Sequence, residues 1–209
     1  YVLGLRHKKE INVVFFAMAL PMWRYQHIYE LLRKHSRFNP YVVIAPSSSY
    51  TEQQQQSDVD ALVDYFEKKN IPYLLYKQKD GRSLDVKKAL SPDILFYPQP
   101  YGTYYPEEIS FNKFYNKLLC YCPYAFWSSD GEWSYNQPLH KVAWKLFYSN
   151  ELHRKDLEKY SLRKAKNVEI VGYPTADEFL SCKHVDVWKK QVNTKKRIIW
   201  APHFTIKDN

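Results

Sequence analysis

Short apolar runs alternate along this chain with segments in which apolar residues recur every three or four positions. Ile11-Asn12-Val13-Val14-Phe15-Phe16 is nearly unbroken in its apolarity, the pattern of a strand buried on both faces of a parallel sheet. Comparable runs are Tyr41 to Ile44, Pro72 to Tyr76, Asp93 to Tyr97, Leu118 to Cys122, Val168 to Val171 and Arg197 to Trp200. Between them, Tyr25, Ile28, Tyr29 and Leu32 fall on one helical face. Val59, Leu62, Val63 and Phe66 form a second stripe, opened by Ser57 and Asp60 in a capping-box arrangement and closed by Asn70 and Pro72. Gln53 to Gln56 reads as a polar tract ahead of that helix. Pro138 suits a first helical turn, and Leu139, Val142, Ala143, Leu146 and Phe147 share the face that follows. Asn150 is placed to cap a basic helix reaching Tyr160, and Thr175 with Glu178 makes a second capping box. This alternation predicts an α/β fold: a Rossmann-like, mostly parallel sheet with helices on both faces.

The run from Arg197 reads as a strand opening a new α/β unit, and the sequence stops four residues after Thr205. A strand in that place suggests the first half of a two-domain protein, and a start without Met reads as a fragment or as the ordered part alone. The expected division is residues 1–182 as an N-terminal Rossmann-like domain, 183–196 as a basic linker, and 197–209 as the first strand of a C-terminal domain.

The 209 residues suffice for a sizeable core. Five glycines, at 4, 81, 102, 131 and 172, leave no way to write a G-x-G-x-x-G loop or a P-loop. The seven histidines are scattered and no Cys-x-x-Cys occurs, which argues against a zinc site. No Gly-x-Ser-x-Gly elbow appears. No metal and no cofactor is therefore expected. Cys120, Cys122 and Cys182 are odd in number and read as reduced, buried thiols of a cytoplasmic protein. No apolar run approaches the roughly 20 residues needed to span a bilayer. The formal charge is +9, with cations concentrated in Arg154–Lys166 and Lys183–Arg197. Such stretches are solvated faces, or they meet nucleic acid, anionic lipid or phosphorylated substrates. No nucleic-acid-binding motif matches, so no nucleic-acid partner is expected.

In open parallel sheets, ligands sit beyond the carboxyl ends of the strands. That rule selects Ala17–Trp23, Pro46–Tyr50, Tyr97–Gly102, Pro123–Ser129, Gly172–Pro174 and Pro202–His203. Several of these segments carry a family resemblance. Trp200-Ala201-Pro202-His203-Phe204-Thr205, with Val171-Gly172-Tyr173-Pro174-Thr175-Ala176-Asp177 before it, resembles the CDP-glycerol glycerophosphotransferase family. So do Val13–Phe16 with Trp23-Arg24-Tyr25-Gln26, and Pro92 to Tyr101. The family builds teichoic-acid and capsule-type polymers in bacteria.

The resemblance implies a GT-B arrangement of two Rossmann-like domains facing across a cleft, with the acceptor domain in this chain and the donor domain mainly beyond Asn209. It implies attack of an acceptor hydroxyl on the β-phosphate of CDP-glycerol, with release of CMP. The implied partners are CDP-glycerol or a related nucleotide donor and a lipid-linked or polymer acceptor. Peripheral contact with the inner face of the cell membrane would involve Lys183–Arg197. Members carry a His-Gly pair in the loop after the fifth strand, where the His acts as base. Here that loop reads Pro123-Tyr124-Ala125-Phe126-Trp127. Tyr124 takes that place in another role, or the base comes from elsewhere, or the acceptor differs.

Within this frame Tyr97, Gln99 and Tyr101 line an acceptor pocket in a loop stiffened by Pro98 and Pro100, or the loop is plain turn chemistry. Trp127, Ser128 and Ser129 offer an aromatic platform and hydroxyls to the acceptor, or pack. Gly172 and Thr175 present a helix N-terminus to phosphate, or form an ordinary strand-to-helix turn. His203 binds phosphate, positions the acceptor or acts as a catalytic group, or is a hinge histidine bonded to backbone. His140, in a helical first turn, reads as a surface or interhelical histidine. Two rival readings are a GT-B glycosyltransferase using a nucleotide sugar and a non-enzymatic basic binding module.

Overall fold

The computed structural model describes residues 1–181, 188, 190, 191, 193 and 195–201. Among them, seven strands form one sheet: β1 (Ile11–Ala17), β2 (Phe38–Ile44), β3 (Tyr73–Leu75), β4 (Ile94–Tyr97), β5 (Leu118–Tyr121), β6 (Lys145–Tyr148) and β7 (Val168–Ile170). Their order is β3-β2-β1-β4-β5-β6-β7, and every pairing is parallel. The helices are α1 (Val2–Leu5), α2 (Gln26–Lys34), α3 (Glu52–Lys68), α4 (Val86–Leu90), α5 (Glu132–Tyr135), α6 (Pro138–Val142), α7 (Glu151–Tyr160) and α8 (Ala176–Ser181).

Right-handed crossovers explain the two layers. From β1 the chain steps one way through β2 to β3, so α2 and α3 cover one face. From β4 it steps the other way to β7, so its connections cover the opposite face. Val13, Val14, Phe15 and Phe16 at the centre are fully buried, because β1 is covered on both sides. Val13 and Phe15 join Tyr29, Leu62, Phe66, Phe96 and Cys120 in one core. Val14 and Phe16 join Val86, Phe111, Leu139 and Leu157 in the other. Phe15 stacks on Phe96 with centroids 4.6 Å apart, and Phe96 stacks on Phe147 at 6.1 Å. The strand order reverses between β1 and β4, so the crevice at their carboxyl ends is the place to look for a ligand.

Several local expectations hold. Pro138 begins α6, and Asn150 caps α7 by accepting from the N–H groups of Leu152 and His153. Asn70, with φ of 52°, ends α3 in the left-handed conformation. Cys120 and Cys122 are free and buried; Cys182 lies outside the described residues.

Others are corrected. The helical face running from Leu139 to Phe147 does not exist. Ala143 leaves the helix with ψ of 137°, and Trp144 N–H donates to Leu119 O at 2.8 Å. Leu146 and Phe147 thus belong to β6, one on each face. α3 starts at Glu52 with Thr51 as its cap, so Gln53–Gln56 and Ser57 are helical. Asp60 accepts from the Gln56 side chain one turn back and caps nothing. Thr175 precedes α8, but its Oγ1 has no hydrogen-bond partner among the described residues. Residues 195–201 carry no regular secondary structure, and Ile198, Ile199 and Trp200 are exposed.

Asp93 fastens the amino-terminal segment to the base of the sheet. It is ion-paired with Lys8, accepts from Asn12 N–H at 2.9 Å and accepts from the Tyr1 hydroxyl at 2.9 Å. Burial works to raise its pKa, but these partners outweigh it and hold the carboxyl below its ordinary range. A depressed carboxylate stabilises the fold above the unfolded-state pKa and loses that contribution as pH falls through the folded value. Asp93→Asn is expected to cost about 1–2 kcal/mol at neutral pH, checked by urea unfolding, with the difference from wild type closing in acid.

Candidate functional site

The carboxyl ends of β4, β5 and β6 meet under two loops, 98–105 and 122–131. The second loop is pinned from both sides. Arg24, in the exit from β1, donates through Nε to Tyr124 O at 2.9 Å. His153, in the first turn of α7, donates through Nε2 to Trp127 O at 2.8 Å. A carbonyl oxygen only accepts, so the Nε2 of His153 carries the proton. Its Nδ1 has no partner and is shut off from solvent. The imidazole is 4% exposed. Tyr148 lies 5.5 Å from it and Phe126 lies 5.3 Å away in a T-shaped contact.

Beside it the buried Tyr121 hydroxyl and the Trp127 indole N–H face one another, the indole working against the burial that raises the phenol's pKa. Tyr121 sits 6.2 Å from Tyr148, so both it and His153 flank the same ring. Most buried polar groups are paired, so the unpartnered Nδ1 of His153 calls for a ligand or a role.

Around them stands a set of phenols. Tyr101 is 5.4 Å from Tyr104 and 5.3 Å from Trp133, and Tyr50 packs on Tyr104 at 6.5 Å. Burial raises the pKa of Tyr101, with Tyr124 and Tyr104 adding to it. Burial also raises Tyr124, and Tyr104 adds to it. Both phenols therefore stay protonated near neutral pH, which equips them as hydrogen-bond donors rather than bases.

The expected site residues divide accordingly. Tyr101, Tyr124 and Trp127 come together, whereas Tyr97 and Gln99 are turned into the core. Tyr97 is buried in the core, its hydroxyl spent on Ile109 O at 3.0 Å. Gln99 is buried and sealed by Tyr105, whose hydroxyl accepts from its N–H and donates to its carbonyl; its amide nitrogen meets Met22 Sδ at 3.1 Å. These two serve packing because their strand-end positions turn inward. Ser128 is exposed, and Ser129 shares a 2.7 Å hydrogen bond with Ser134. His203 lies outside the described residues. His140 is not a surface group: it is buried, its Nδ1 accepts from Gln137 N–H at 2.9 Å, and its Nε2 meets the Tyr148 hydroxyl at 2.9 Å. Burial pulls its pKa down to about 3. Cys120 and Cys122 are inert thiols, pushed up by burial, Cys122 to about 12.

Thr175 borders a concavity on the α2 side of the sheet, and Gly172 lies in the exit from β7 near it. Gly172 has φ of 82°, which allows the sharp exit from β7. An apolar hollow of about 260 Å³ lies between Tyr25, Ile28, Phe96, Phe147, Val171 and Pro174. It adjoins a polar one of about 170 Å³ that includes Arg24, Gln26, His27 and Thr175. Among the described residues no cluster of three or more His, Cys, Asp or Glu could hold a metal ion, and no helix is long and apolar enough to cross a membrane.

No protein-family model matches the sequence, and no curated protein matches it. Solved structures do. A crystal structure of a UDP-N-acetylglucosamine 2-epimerase superposes with a TM-score of 0.53 at 16% identity, over 87% of this chain and 53% of that one. The UDP-GlcNAc 2-epimerase of Neisseria meningitidis, bound to UDP-GlcNAc, gives 0.52 at 16% identity, over 82% and 49%. A putative UDP-N-acetylglucosamine 2-epimerase from Listeria monocytogenes gives 0.51 at 17%, over 87% and 50%. The chain spans about half the length of these enzymes. None of the comparisons singles out the CDP-glycerol glycerophosphotransferases. At these identities the likeness shows the fold: a parallel α/β sheet of the Rossmann-like, GT-B-like kind, shared with enzymes that use nucleotide sugars.

Proposed function

We propose that this domain presents a hydroxyl acceptor to a nucleotide-activated donor held by a second domain. The pair would transfer glycerol phosphate, or a related alditol phosphate, from a CDP-activated donor to a lipid-linked or polymeric acceptor in cell-surface polymer synthesis. The observation that carries this reading is His153: an imidazole with Nε2–H engaged and Nδ1 unpartnered, at the carboxyl end of β6. General base catalysis needs such a lone pair within reach of the acceptor proton.

On this reading Nδ1 takes the proton of the acceptor hydroxyl as its oxygen attacks the β-phosphorus. The bond from that phosphorus to the bridging oxygen breaks, and CMP leaves with the electron pair. Tyr101 and Tyr124 donate hydrogen bonds to the acceptor, and Trp127 supplies a ring face. Phe126, which is 54% exposed, must move off the imidazole for the acceptor to enter. On this reading Gly172 and Thr175 serve phosphate binding, and a phosphate-binding or catalytic role is proposed for His203, which lies outside the described residues. The reaction would take place in the cytoplasm, at the inner face of the membrane.

A second reading is supported by the epimerase likeness: the donor is a UDP-activated sugar, and attack falls on its anomeric carbon with loss of UDP. The two-domain protein incubated with CDP-glycerol and, separately, UDP-GlcNAc separates the readings by chromatography of the released nucleotide. Acceptor-dependent CMP release is expected. UDP release without CMP would replace the first reading by the second, and release of neither would remove both.

A further inference from the structure

Where the exit of β1 faces the exit of β7, the apolar hollow takes no part in the chemistry drawn above. It measures about 260 Å³ and is walled by Tyr25 and Ile28 on one side and by Val171 and Pro174 on the other. Its floor is Phe96 and Phe147, whose rings lie 6.1 Å apart and within 16° of parallel. The adjoining polar hollow, of about 170 Å³, closes much of its hydrogen bonding on itself. Gln26 Oε1 accepts from the Trp23 indole N–H at 3.0 Å and from the Tyr65 hydroxyl at 3.4 Å, and the Gln26 amide nitrogen donates to Glu30.

Four residues line both hollows: Arg24, His27, Pro174 and Asp177. The junction therefore carries one fixed cation and one carboxylate. Arg24 is already oriented, because its Nε donates to Tyr124 O at 2.9 Å and its Nη1 to Trp23 O at 3.3 Å. Among the described residues Nη2 has no acceptor. Its N–H groups lie in the guanidinium plane, the geometry that a carboxylate matches. Asp177 has a partner of its own, but a carboxylate accepts at about four lone-pair sites and can take an ammonium as well.

We propose that the paired hollows bind a free aromatic α-amino acid. With its α-carbon at the junction, the ligand sets its carboxylate on Arg24, its ammonium on Asp177 and its ring on Phe96 and Phe147. Small-molecule sites combine an apolar lining with a few polar groups that fix orientation in this way, and offset rings are a favourable aromatic arrangement. A junction with both signs of charge suits a zwitterion better than a ligand of one sign. The apolar walls offer the edge of a nucleobase no side-chain hydrogen bond, since Tyr25 spends its hydroxyl on Tyr97 O at 2.8 Å. The inference does not rest on the proposed transfer reaction, and its test contains no turnover.

The test is isothermal titration calorimetry of the 209-residue chain with L-phenylalanine and L-tryptophan, both of which are expected to bind. L-Alanine should bind about ten- to a hundredfold more weakly, for want of a ring to bury. L-Phenylalaninamide lacks the carboxylate and N-acetyl-L-phenylalanine lacks the ammonium, and each should bind about tenfold more weakly, which separates a free amino acid from a peptide terminus. Asp177→Asn should weaken phenylalanine about tenfold and leave the N-acetyl derivative unchanged. Val171 is 55% exposed at the rim, so Val171→Trp fills the apolar hollow from outside and should abolish binding. Circular dichroism and the melting temperature confirm that both variants are folded. No binding, alanine binding as well as phenylalanine, either derivative matching the free amino acid, binding that survives Val171→Trp, or displacement of phenylalanine by CMP would each overturn the inference.

Discussion

His153→Gln is expected to slow acceptor-dependent turnover by about 10²–10⁴-fold while leaving the fold intact. Glutamine keeps an N–H that can donate to Trp127 O, so the 122–131 loop stays pinned to α7. What it removes is the unpartnered Nδ1 lone pair. The expected signature is a fall in kcat with little change in KM, because the lone pair matters as the proton leaves and contributes little to holding the acceptor. Tyr124→Phe should do less, since a protonated phenol supplies one hydrogen bond. Steady-state assay of released nucleotide, alongside circular dichroism of each variant, reads both. A His153→Gln enzyme within a few-fold of wild type would remove the histidine from the chemistry.

His140 makes a prediction of similar weight for stability. Burial places its folded-state pKa at about 3, against about 6.5 for an unperturbed imidazole. Between those values the unfolded chain binds a proton that the folded chain refuses. Stability therefore rises with pH across this window and is lost as pH falls. Above the unfolded value both states are neutral, and the group adds no pH dependence. Each pH unit inside the window is worth about 1.4 kcal/mol, so lowering pH from about 6.5 to 4.5 should cost about 2–3 kcal/mol from this residue. His140→Gln should begin from a lower baseline, because the Gln137 N–H and the Tyr148 hydroxyl lose their partner. That part of the slope should then disappear. Urea midpoints across the window check the difference, and parallel slopes in both proteins would contradict it.

The sheet was readable from sequence where strands are covered on both faces. Val13 to Phe16 is an unbroken apolar run because β1 has helices on either side, and no surface helix presents that pattern. β6 was not readable, and the reason is specific. Leu139, Val142, Ala143, Leu146 and Phe147 are spaced as one helical face. The parallel pairing of β6 with β5 on one side and β7 on the other reveals a strand there. That misreading concealed the candidate site. A strand ending at Tyr148 makes Ser149–His153 a strand exit, the kind of segment where ligands are sought. Read as helix, the segment gave no cause to inspect His153. Tyr97 and Gln99 show the opposite error. Gln99 does lie in the exit loop and Tyr97 ends β4, but side-chain direction at a strand end depends on register against neighbours, and that is a tertiary fact. Tyr101 stood out in a proline-stiffened exit loop, Tyr124 by its place in the loop after β5, and Trp127 because aromatic residues in a loop must either pack or bind; the three lie near one another in the structure.

The account turns on the Nδ1 of His153 and on whether an acceptor reaches it. Long-range proton–nitrogen NMR of the chain carrying isotope-labelled histidine reports the tautomer of each ring and its response to a glycerol phosphate oligomer. His153 is expected as the Nε2–H form, with an Nδ1 resonance that moves on titration while that of His140, sealed by Gln137 and Tyr148, stays still. An Nδ1 proton on His153, or an Nδ1 resonance unmoved at saturating oligomer, would contradict the assignment of the acceptor site.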